Sequence, residues 1–314
     1  MLSNSKLGFG LMRLPKDKNG TIIQEKVNTM VDAFMKSGFT YFDTAYAYAG
    51  SEKAMKKALV ERYPREAYTI ADKLPAWKLK DENDVQRIFE ESLSLSGVDY
   101  FDFYLMYAQS DEIYAKYKKL HAYDEASKLK EEGKIKHFGI SFHDNADVLD
   151  MILTENPDIE VVQIQFNYVD YEDPAIQRKA CYEVCRKHNK PVIVMEPVKG
   201  GNLVNLPKEA KVVYDKWGTM SYASYALRFA VGFDGMMMVL SGMSDMNQMK
   251  DNLSFMKDFQ PLSLKEQEAV KQVTEIFSIR STFRFHIKFL RLVNHLPVLL
   301  ALFHFFHLQQ VSFR

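Results

Sequence analysis

Short apolar segments rich in β-branched and aromatic residues recur along the chain, and longer amphipathic segments separate them. The apolar segments predict strands at residues 6–10, 40–44, 67–73, 102–106, 137–141, 161–166, 191–196 and 236–242. Apolar residues at helical spacing predict helices at residues 25–38, 51–62, 85–99, 123–137 and 173–191. Strands that alternate with helices in this way are typical of parallel βαβ units.

The alternation predicts an α/β fold, for which a closed barrel and a doubly wound sheet are the two candidates. Several strands are apolar on both faces, as in a sheet that is covered on both sides. The one G-x-G motif, at Gly8 and Gly10, lacks the third glycine and the later acidic residue of a dinucleotide fingerprint. The chain of 314 residues exceeds the roughly 250 that a barrel needs. We therefore predict a closed (β/α)8 TIM barrel.

Charge and cysteine content narrow the class of protein. Lysine plus arginine and aspartate plus glutamate both number 41, which argues against nucleic-acid binding through phosphate neutralisation. Cys181 and Cys185, four residues apart on a predicted helix, are interpreted as ordinary buried thiols rather than as a disulfide or a metal site. The N-terminal residues lack the apolar core of a signal peptide. We expect a soluble cytoplasmic protein that binds neither metal nor nucleic acid.

Candidate catalytic residues lie where the predicted strands end, because TIM barrels carry their active sites at the C-terminal ends of the strands. The second strand ends at Asp43 and its loop carries Tyr48, while the third ends at Lys73. A lysine ammonium stabilises a nearby phenolate and lowers its pKa, and an aspartate keeps a buried lysine charged. Such a tyrosine can protonate a carbonyl oxygen. The alternative, a structural ion pair beside a packing aromatic, remains open from spacing alone.

Several motifs together resemble one enzyme family. The segments GFGLMRLP, YFDTAYAYAGSE, ADKLP, GVDYFDFYLM, LKEEGKIKHFGIS and VQIQFNY occur in order, and the resemblance to aldo-keto reductases covers about residues 5–276. It is greatest to the microbial branch that carries a C-terminal ferredoxin-like extension. The resemblance implies a (β/α)8 barrel that reduces aldehydes or ketones with NADP(H) or NAD(H). It also implies that Asp43, Lys73 and Tyr48 are catalytic.

Tyr107 departs from the family pattern. The family usually has a histidine after the fourth strand, where this chain reads YLMYAQ with Tyr107. A phenol can donate a hydrogen bond to a substrate oxygen, but it is bulkier than an imidazole and cannot replace its acid–base chemistry. His121 and His143 are the nearest histidines in sequence, and neither occupies the motif position. We treat Tyr107 as the fourth catalytic position.

The resemblance also implies cofactor-binding residues. Ser141 and Gln163 match the positions that hold the nicotinamide carboxamide, which needs both a donor and an acceptor. The remaining candidates follow the first, seventh and eighth strands, and they are Met12, Arg13, Glu196, Pro197, Gly200, Gly242, Met243, Gln248 and Asn252. Arg13 either approaches the cofactor or closes its own loop through a salt bridge. NADP-selective members usually carry a lysine and an arginine where this chain has Gly242 and Gln248. Both NADPH and NADH therefore remain candidate cofactors.

The C-terminal segment differs from the rest in composition. After Glu275 there is no Asp, Glu or Gly, and four of the eight histidines lie there. We predict a barrel at residues 1–276 and an atypical apolar and basic tail at residues 277–314. No cysteine follows Cys185, which excludes the iron–sulfur cluster of the resembling branch. One interpretation of the tail is a membrane-surface helix; the one we prefer is a replaced or out-of-frame terminus.

Three functional hypotheses are compatible with these residues. The leading hypothesis is a carbonyl reductase acting on a small-molecule substrate. The second is a nucleotide-binding barrel with little turnover, a sensor or partner-binding module, which Tyr107 motivates. The third is a Schiff-base lyase with Lys73 as nucleophile. Asp43 disfavours the third, because a lysine held in its charged form is not a nucleophile.

Overall fold

Eight parallel strands form a closed barrel in which each strand pairs with the next, and the first pairs with the last. The computed structural model describes residues 6–218 and 220–279. The strands are β1 Leu7–Gly10, β2 Tyr41–Asp43, β3 Thr69–Pro75, β4 Phe101–Gln109, β5 Ile135–Phe142, β6 Val161–Gln165, β7 Val192–Met195 and β8 Met236–Ser241. All eight predicted strands are present, and the predicted TIM barrel is confirmed.

Helices cover the outside of the barrel. They are α1 Gln24–Lys36, α2 Ser51–Met55, α3 Asn83–Ser96, α4 Asp111–Lys119, α5 Ala122–Glu131, α6 Ala146–Glu155, α7 Arg178–Lys187, α8 Lys208–Asp215, α9 Tyr222–Val231, α10 Met246–Met256 and α11 at residues 264–279. In the part of the chain that the structure describes, no helix has the length and apolar character that crossing a bilayer requires.

The predicted helices differ from the observed ones in two respects. The predicted helix at 123–137 was too long, because Gly133, at a φ of 74°, turns the chain into β5. Helices α4 and α6 were not predicted, although each begins with a capping side chain. The Ser110 hydroxyl accepts from the N–H of Ile113, and the Asn145 side chain accepts from that of Val148. Helices α8 and α9 were also missed.

The barrel interior is filled by apolar side chains that follow the two-residue period of the strands. This interior core consists of Tyr41, Ala71, Phe103, Leu105, Val161, Ile193, Met238 and Leu240. Asp43, Lys73 and Gln163 each lie two residues beyond a member of the core on the same strand. Their side chains therefore form the next interior layer, at the C-terminal ends of the strands.

Helix α11 closes a second apolar cluster beside the barrel. Ala269, Val270 and Val273 of α11 are buried against residues of the loops and helices that follow β6 and β7. Arg228 of α9 donates to the Glu266 carboxylate at 2.6 and 3.0 Å. Phe277 also packs on this cluster, so the packed chain extends just past the predicted boundary at residue 276. The rest of the predicted tail, from residue 280, lies outside the described residues.

Gly139 gives a direct test of how tightly the interior is packed. A methyl group at this position would lie 2.5 Å from both the carbonyl oxygen and a Cγ of Val161, and 2.7 Å from a Leu105 methyl. We expect Gly139→Ala to lower the free energy of unfolding by about 1–3 kcal/mol, since a full core must distort to admit it. Urea denaturation measures this change.

Gly218→Ala is the matched control, because nothing lies within 4 Å of a methyl group placed there. Its free energy of unfolding should stay within about 0.5 kcal/mol of the original. Equal stability of the two variants would show that the interior has room at Gly139.

Candidate active site

A buried ion pair lies at the centre of the C-terminal end of the barrel. The Lys73 ammonium donates to Oδ1 of Asp43 at 2.6 Å and to the carbonyl oxygen of Thr44 at 2.6 Å. The Lys73 side chain is fully buried. Gln163 donates from Nε2 to the other Asp43 oxygen at 3.1 Å. Burial raises the pKa of Asp43, and the charge and hydrogen bond of Lys73 work against that rise.

Tyr48 lies next to this ion pair, on the loop after β2. The Lys73 nitrogen is 5.0 Å from the centre of the Tyr48 ring. Burial, followed by the negative charge of Asp43, raises the pKa of Tyr48 well above its usual range. This direction is opposite to the one that the predicted relay requires. The first reason is burial, which disfavours a charged phenolate; the second is that the Lys73 ammonium is bonded to Asp43 and Thr44, so the carboxylate beside it opposes the phenolate charge. Tyr48 is therefore a fully protonated donor at neutral pH.

Tyr107 contacts Tyr48 directly. Their rings meet edge to face, with centroids 6.1 Å apart, and the Trp77 ring lies 5.2 Å from Tyr107 on its other side. The Tyr107 hydroxyl donates to Tyr48, which moderates the rise in the pKa of Tyr48. The backbone of Tyr107 is fixed by the hydroxyl of Tyr117, which also donates to the carbonyl of Leu74. Tyr107 therefore lies beside Tyr48 at the C-terminal end of the barrel.

Neither of the nearby histidines replaces the missing imidazole. His121 is exposed and lies beside the carboxylates of Asp124 and Glu82. His143 is exposed on the loop after β5, although partial desolvation of its ring and the charge of Arg178 lower its pKa.

Ser141 and Gln163 lie side by side on β5 and β6, as register partners. Both side chains are buried, and the Ser141 oxygen accepts from the N–H of Ala108 at 2.8 Å. That contact leaves the hydroxyl hydrogen able to donate. Among the described residues, the Gln163 amide oxygen has no hydrogen-bond partner and can accept. The pair therefore offers the donor and the acceptor that a carboxamide group needs.

The Arg13 side chain lies between the loops that follow β7 and β8. A methyl group placed on Gly242 would lie 3.5 Å from Cδ of Arg13, and one placed on Gly200 would lie 3.7 Å from a terminal guanidinium nitrogen. Arg13 is exposed, and the described residues give it no ion pair. Among the described residues, the alternative in which Arg13 closes its loop through a salt bridge finds no support. Its guanidinium is available to an anionic group between the two loops.

The loop after β7 is held in an unusual backbone conformation. Glu196 and Lys199 have φ angles of 54° and 48°, and Gly200 follows at 64°. The Lys199 ammonium forms a short ion pair with Asp170, which joins this loop to the one after β6. Glu196 is exposed and Pro197 is buried. Met12, in the loop after β1, is 58% exposed.

The candidates after β8 differ in accessibility. Met243 and Asn252 are buried, and the Asn252 amide donates to the hydroxyl of Ser241 at 2.8 Å. These two buried side chains pack under the loop that follows β8 and hold it in place. Gln248 is exposed, and its side-chain oxygen accepts from the N–H of Ser244 at 2.8 Å.

Two sets of polar groups behind the site were not predicted: the hydrogen bonds of Ser51, and the carboxyl pair formed by Glu52 and Asp72. Helix α2 begins at Ser51 after Gly50, and no side-chain cap hydrogen bond is formed at this helix start. The Ser51 hydroxyl instead bonds the Thr44 hydroxyl at 2.8 Å and the Leu11 carbonyl at 3.2 Å. These bonds tie the Tyr48 loop to β1 and β2.

Glu52 and Asp72 form a buried pair of carboxyl groups. One oxygen of each has no hydrogen-bond partner among the described residues. Burial raises the pKa of Glu52 to about 7, and burial with the charge of Glu52 raises that of Asp72. Asp72 also accepts from the backbone N–H of Lys73 at 2.6 Å. The pair therefore holds a proton near neutral pH, and it links the Tyr48 loop to the strand that carries Lys73.

The cysteines take no part in this site. Cys181 and Cys185 are both buried on α7 without a disulfide, as predicted. Residues 6–218 and 220–279 contain no cluster of His, Cys, Asp and Glu that could hold a metal ion.

Sequence comparison identifies similar proteins. The sequence model described as "Aldo/keto reductase family" matches residues 6–275. The L-galactose dehydrogenase of Arabidopsis thaliana is 25% identical over 301 residues, which cover 88% of this chain and 91% of that protein. A probable aldo-keto reductase of Glycine max is 31% identical over 147 residues, and that match covers 44% of this chain and 41% of that protein.

Structural comparison identifies the same fold. The holo form of an aldo-keto reductase from Bacillus halodurans has a TM-score of 0.68 at 23% identity, covering 85% of this chain and 91% of that one. An aldo-keto reductase from Klebsiella pneumoniae in complex with NADPH has a TM-score of 0.66 at 18% identity, covering 86% of this chain and 90% of that one. At these identities the likeness establishes the fold.

The carboxyl pair makes stability depend on pH. In the unfolded chain Glu52 ionises near its ordinary value of 4.5, whereas in the folded protein it keeps its proton up to about 7. Between these values unfolding releases a proton, so the free energy of unfolding should fall as the pH rises. In Glu52→Gln this slope should be shallower, by up to about 1.4 kcal/mol per pH unit. Urea denaturation at a series of pH values measures the slope.

Glu90→Gln provides the control, since Glu90 is an exposed glutamate on α3. Its slope should match that of the original protein. An unchanged slope in Glu52→Gln would mean that Glu52 is ionised throughout and that the pair holds no proton.

Proposed function

Since the chain belongs to the aldo/keto reductase family and is an oxidoreductase, we propose that it reduces small aldehydes or ketones with Tyr48 as the proton donor. The observation that carries the proposal is the buried Lys73–Asp43 pair beside the Tyr48 ring. Lys73 places a positive charge 5.0 Å from that ring, and both members of the ion pair are buried. Negative charge that develops on a substrate oxygen beside Tyr48 is stabilised there.

The reaction needs a hydride at the carbonyl carbon and a proton at the carbonyl oxygen. A reduced nicotinamide dinucleotide, when bound, supplies the hydride. The Tyr48 hydroxyl donates to the carbonyl oxygen and transfers its proton as charge develops there. Its raised pKa keeps the proton in place until a substrate oxygen accepts it. Lys73 and Asp43 keep the phenol oriented, and the Lys73 charge stabilises the phenolate that proton transfer leaves.

Residues at the open end of the barrel fit this cofactor. We propose that Ser141 and Gln163 hold its carboxamide, because they offer one donor and one acceptor side by side. Arg13, between Gly200 and Gly242, would hold the pyrophosphate. The exposed loop residues Met12, Glu196 and Gln248 would line the rest of the site, and Pro197, Met243 and Asn252 would support it. The NADPH in the Klebsiella pneumoniae structure supports this assignment.

Tyr107 favours a second candidate function. Its hydroxyl donates to Tyr48, and its ring lies within 6.1 Å of the Tyr48 ring, in the region where a substrate carbonyl would bind. A barrel that binds nucleotide but turns over little substrate is therefore the alternative. The Schiff-base lyase finds less support, because the Lys73 nitrogen is bonded to Asp43 and Thr44.

The remaining proposals concern where the enzyme acts and which part of the chain forms its catalytic unit. We propose a cytoplasmic reductase of small carbonyl compounds that binds no nucleic acid, with the catalytic unit formed by the barrel and α11. The apolar and basic tail would lie outside this unit. Membrane association through the tail is the less favoured alternative.

Tyr48→Phe tests the proposed function. Oxidation of NADH and of NADPH is followed with a panel of aldehydes, and dinucleotide affinity is measured separately by fluorescence titration. We expect at least a hundredfold loss of turnover, which is the lower bound for general acid catalysis. Dinucleotide affinity should stay unchanged, because only the proton donor is removed.

Tyr46→Phe is the matched control, since Tyr46 is on the same loop and its hydroxyl donates to the Glu91 carboxylate of α3 at 3.0 Å. This variant should keep its turnover. Near-normal reduction by Tyr48→Phe would refute the assignment of Tyr48 as the acid.

Tyr107→His decides between the two candidate functions. An imidazole would free the space beside Tyr48 and donate to the carbonyl oxygen. We expect kcat/KM for aldehyde reduction to rise at least tenfold, about 1.4 kcal/mol of transition-state stabilisation, with unchanged cofactor affinity. Steady-state kinetics on one aldehyde panel measure this. A histidine variant that is slower on every substrate would show that Tyr107 belongs to a working site.

A further inference from the structure

Two buried hydroxyl groups lie between the Lys73 ion pair and the turn that carries Tyr48. They belong to Thr44 and Ser51, and their oxygens are 2.8 Å apart. The Ser51 hydroxyl also donates to the carbonyl oxygen of Leu11 at 3.2 Å. Because a hydroxyl has a single hydrogen, Ser51 donates to Leu11 and Thr44 donates to Ser51. The hydrogen bonds therefore run in one direction, from Thr44 through Ser51 to Leu11.

Thr44 connects these bonds to the lysine of the site. Its carbonyl oxygen accepts from the Lys73 ammonium at 2.6 Å, and its backbone N–H donates to the carbonyl oxygen of Ala71 on β3 at 2.8 Å. Thr44 also directly follows Asp43, the other partner of Lys73. A displacement of Thr44 would therefore disturb both of the groups that hold the ammonium.

Ser51 connects the same bonds to the proton donor. Its backbone N–H donates to the Tyr48 carbonyl oxygen at 2.9 Å, and the Tyr48 N–H donates to the Ala45 carbonyl oxygen at 2.8 Å. Tyr48 thus lies in a turn that ends at Ser51, where α2 begins. The acceptor of the Ser51 hydroxyl, Leu11, is two residues before Arg13. The Ser51 hydroxyl therefore holds the Tyr48 turn against the loop after β1.

Filling this space does not require hydroxyl groups. A valine has the shape of a threonine, and replacing both partners of a hydrogen bond with apolar groups of similar shape can be nearly neutral for stability. What the Thr44–Ser51 pair adds is direction, since a hydrogen bond fixes the distance between two atoms more closely than an apolar contact does. The fixed distance here is the one between the Tyr48 turn and the strand end beside Lys73.

We propose that Thr44 and Ser51 are positioning residues for carbonyl reduction, whose hydroxyl groups hold the Tyr48 turn in register with Lys73. The inference rests on the proposed function, because it explains how the proposed proton donor is placed. The two hydroxyl groups act through Tyr48 and Lys73. An acid must lie within hydrogen-bond reach of the oxygen that it protonates, and a misplacement of about 1 Å costs roughly a hundredfold in rate.

Thr44→Val tests the inference by removing one hydroxyl while keeping the shape of the side chain. We expect kcat for aldehyde reduction to fall at least tenfold, because an interaction made in the transition state is lost. The KM for the aldehyde and the dissociation constants of NADH and NADPH should stay within about twofold, since no binding group is removed. Steady-state kinetics and fluorescence titration of the full chain measure these quantities.

Thr44→Ser separates the hydroxyl from the packing of the side chain. Serine keeps the hydroxyl and leaves a gap where the methyl group was, so kcat should recover to within about threefold of the original value. A serine variant as slow as the valine variant would show that packing, and not the hydrogen bond, accounts for the loss.

Ser51→Ala removes the other hydroxyl of the pair, and it should lower kcat by a similar factor. The double variant Thr44→Val/Ser51→Ala should be at most about threefold slower than the slower single variant, because both substitutions break the same contact. Losses that multiply would contradict the inference, since they would mean that the two hydroxyl groups act independently. A thermal melt checks that each variant is folded, and each single variant tests the bond without the other.

Thr274→Val is the matched control. The Thr274 hydroxyl, on α11 beside the barrel, donates to the carbonyl oxygens of Val270 and Tyr168 at 2.9 and 3.3 Å. The same substitution there removes a hydrogen-bonded hydroxyl without touching the Tyr48 turn, so kcat should stay unchanged. An equal fall in kcat would refute the inference, because a general loss of stability would then account for the effect.

The outcomes separate this inference from the function on which it rests. Loss of turnover in Tyr48→Phe together with normal kcat in Thr44→Val and Ser51→Ala would overturn the inference and leave the reductase intact. Near-normal turnover in Tyr48→Phe, or no reduction of any aldehyde by the original protein, would overturn the proposed function together with the inference.

Discussion

The burial of the Lys73 ammonium is the constraint around which the open end of the barrel is arranged. A charge in that position is tolerated only when it is paired and hydrogen-bonded, and Asp43 and the Thr44 carbonyl supply those partners. Gln163 in turn completes the hydrogen bonding of Asp43. Apolar side chains of similar volume would fill the same layer at no cost in stability. The burial of this ion pair is therefore in keeping with the catalytic role that we propose for it.

The fold could be predicted from the sequence because its signals are local. Each strand is an apolar run bounded by turn residues, and the alternation with helices restricts the topology to parallel units. The inward layer could also be predicted: Asp43 ends β2, Lys73 lies two residues before the end of β3, and the two-residue period of the strands places both side chains on the inward face. Helix boundaries and the shorter helices were less accessible: the polar residues of the helix predicted at 123–137 continue past Gly133 into β5, and the helix predicted at 173–191 covers only Arg178–Lys187.

The interactions that the sequence could not predict depend on distant partners. Asp72 and Lys73 are adjacent, yet their side chains lie on opposite faces of β3, and only the folded chain brings Asp72 to Glu52. The pKa of Tyr48 moves against the predicted direction for a related reason. Spacing identifies Lys73 as a neighbour of Tyr48, but it does not reveal that the ammonium is already bonded to Asp43 and Thr44.

The pairing of β1 with β8, which closes the barrel, has a consequence for how the protein folds. Gly8 of β1 pairs with Leu240 of β8, so the ring of strands cannot close until nearly the whole chain has left the ribosome. Until then β1 presents an open strand edge, and the site residues, which lie on or after all eight strands, are not brought together. Folding that depends on so distant a pairing is slow. A nascent or truncated chain that lacks β8 would therefore be inactive and prone to pair its open edges with other chains.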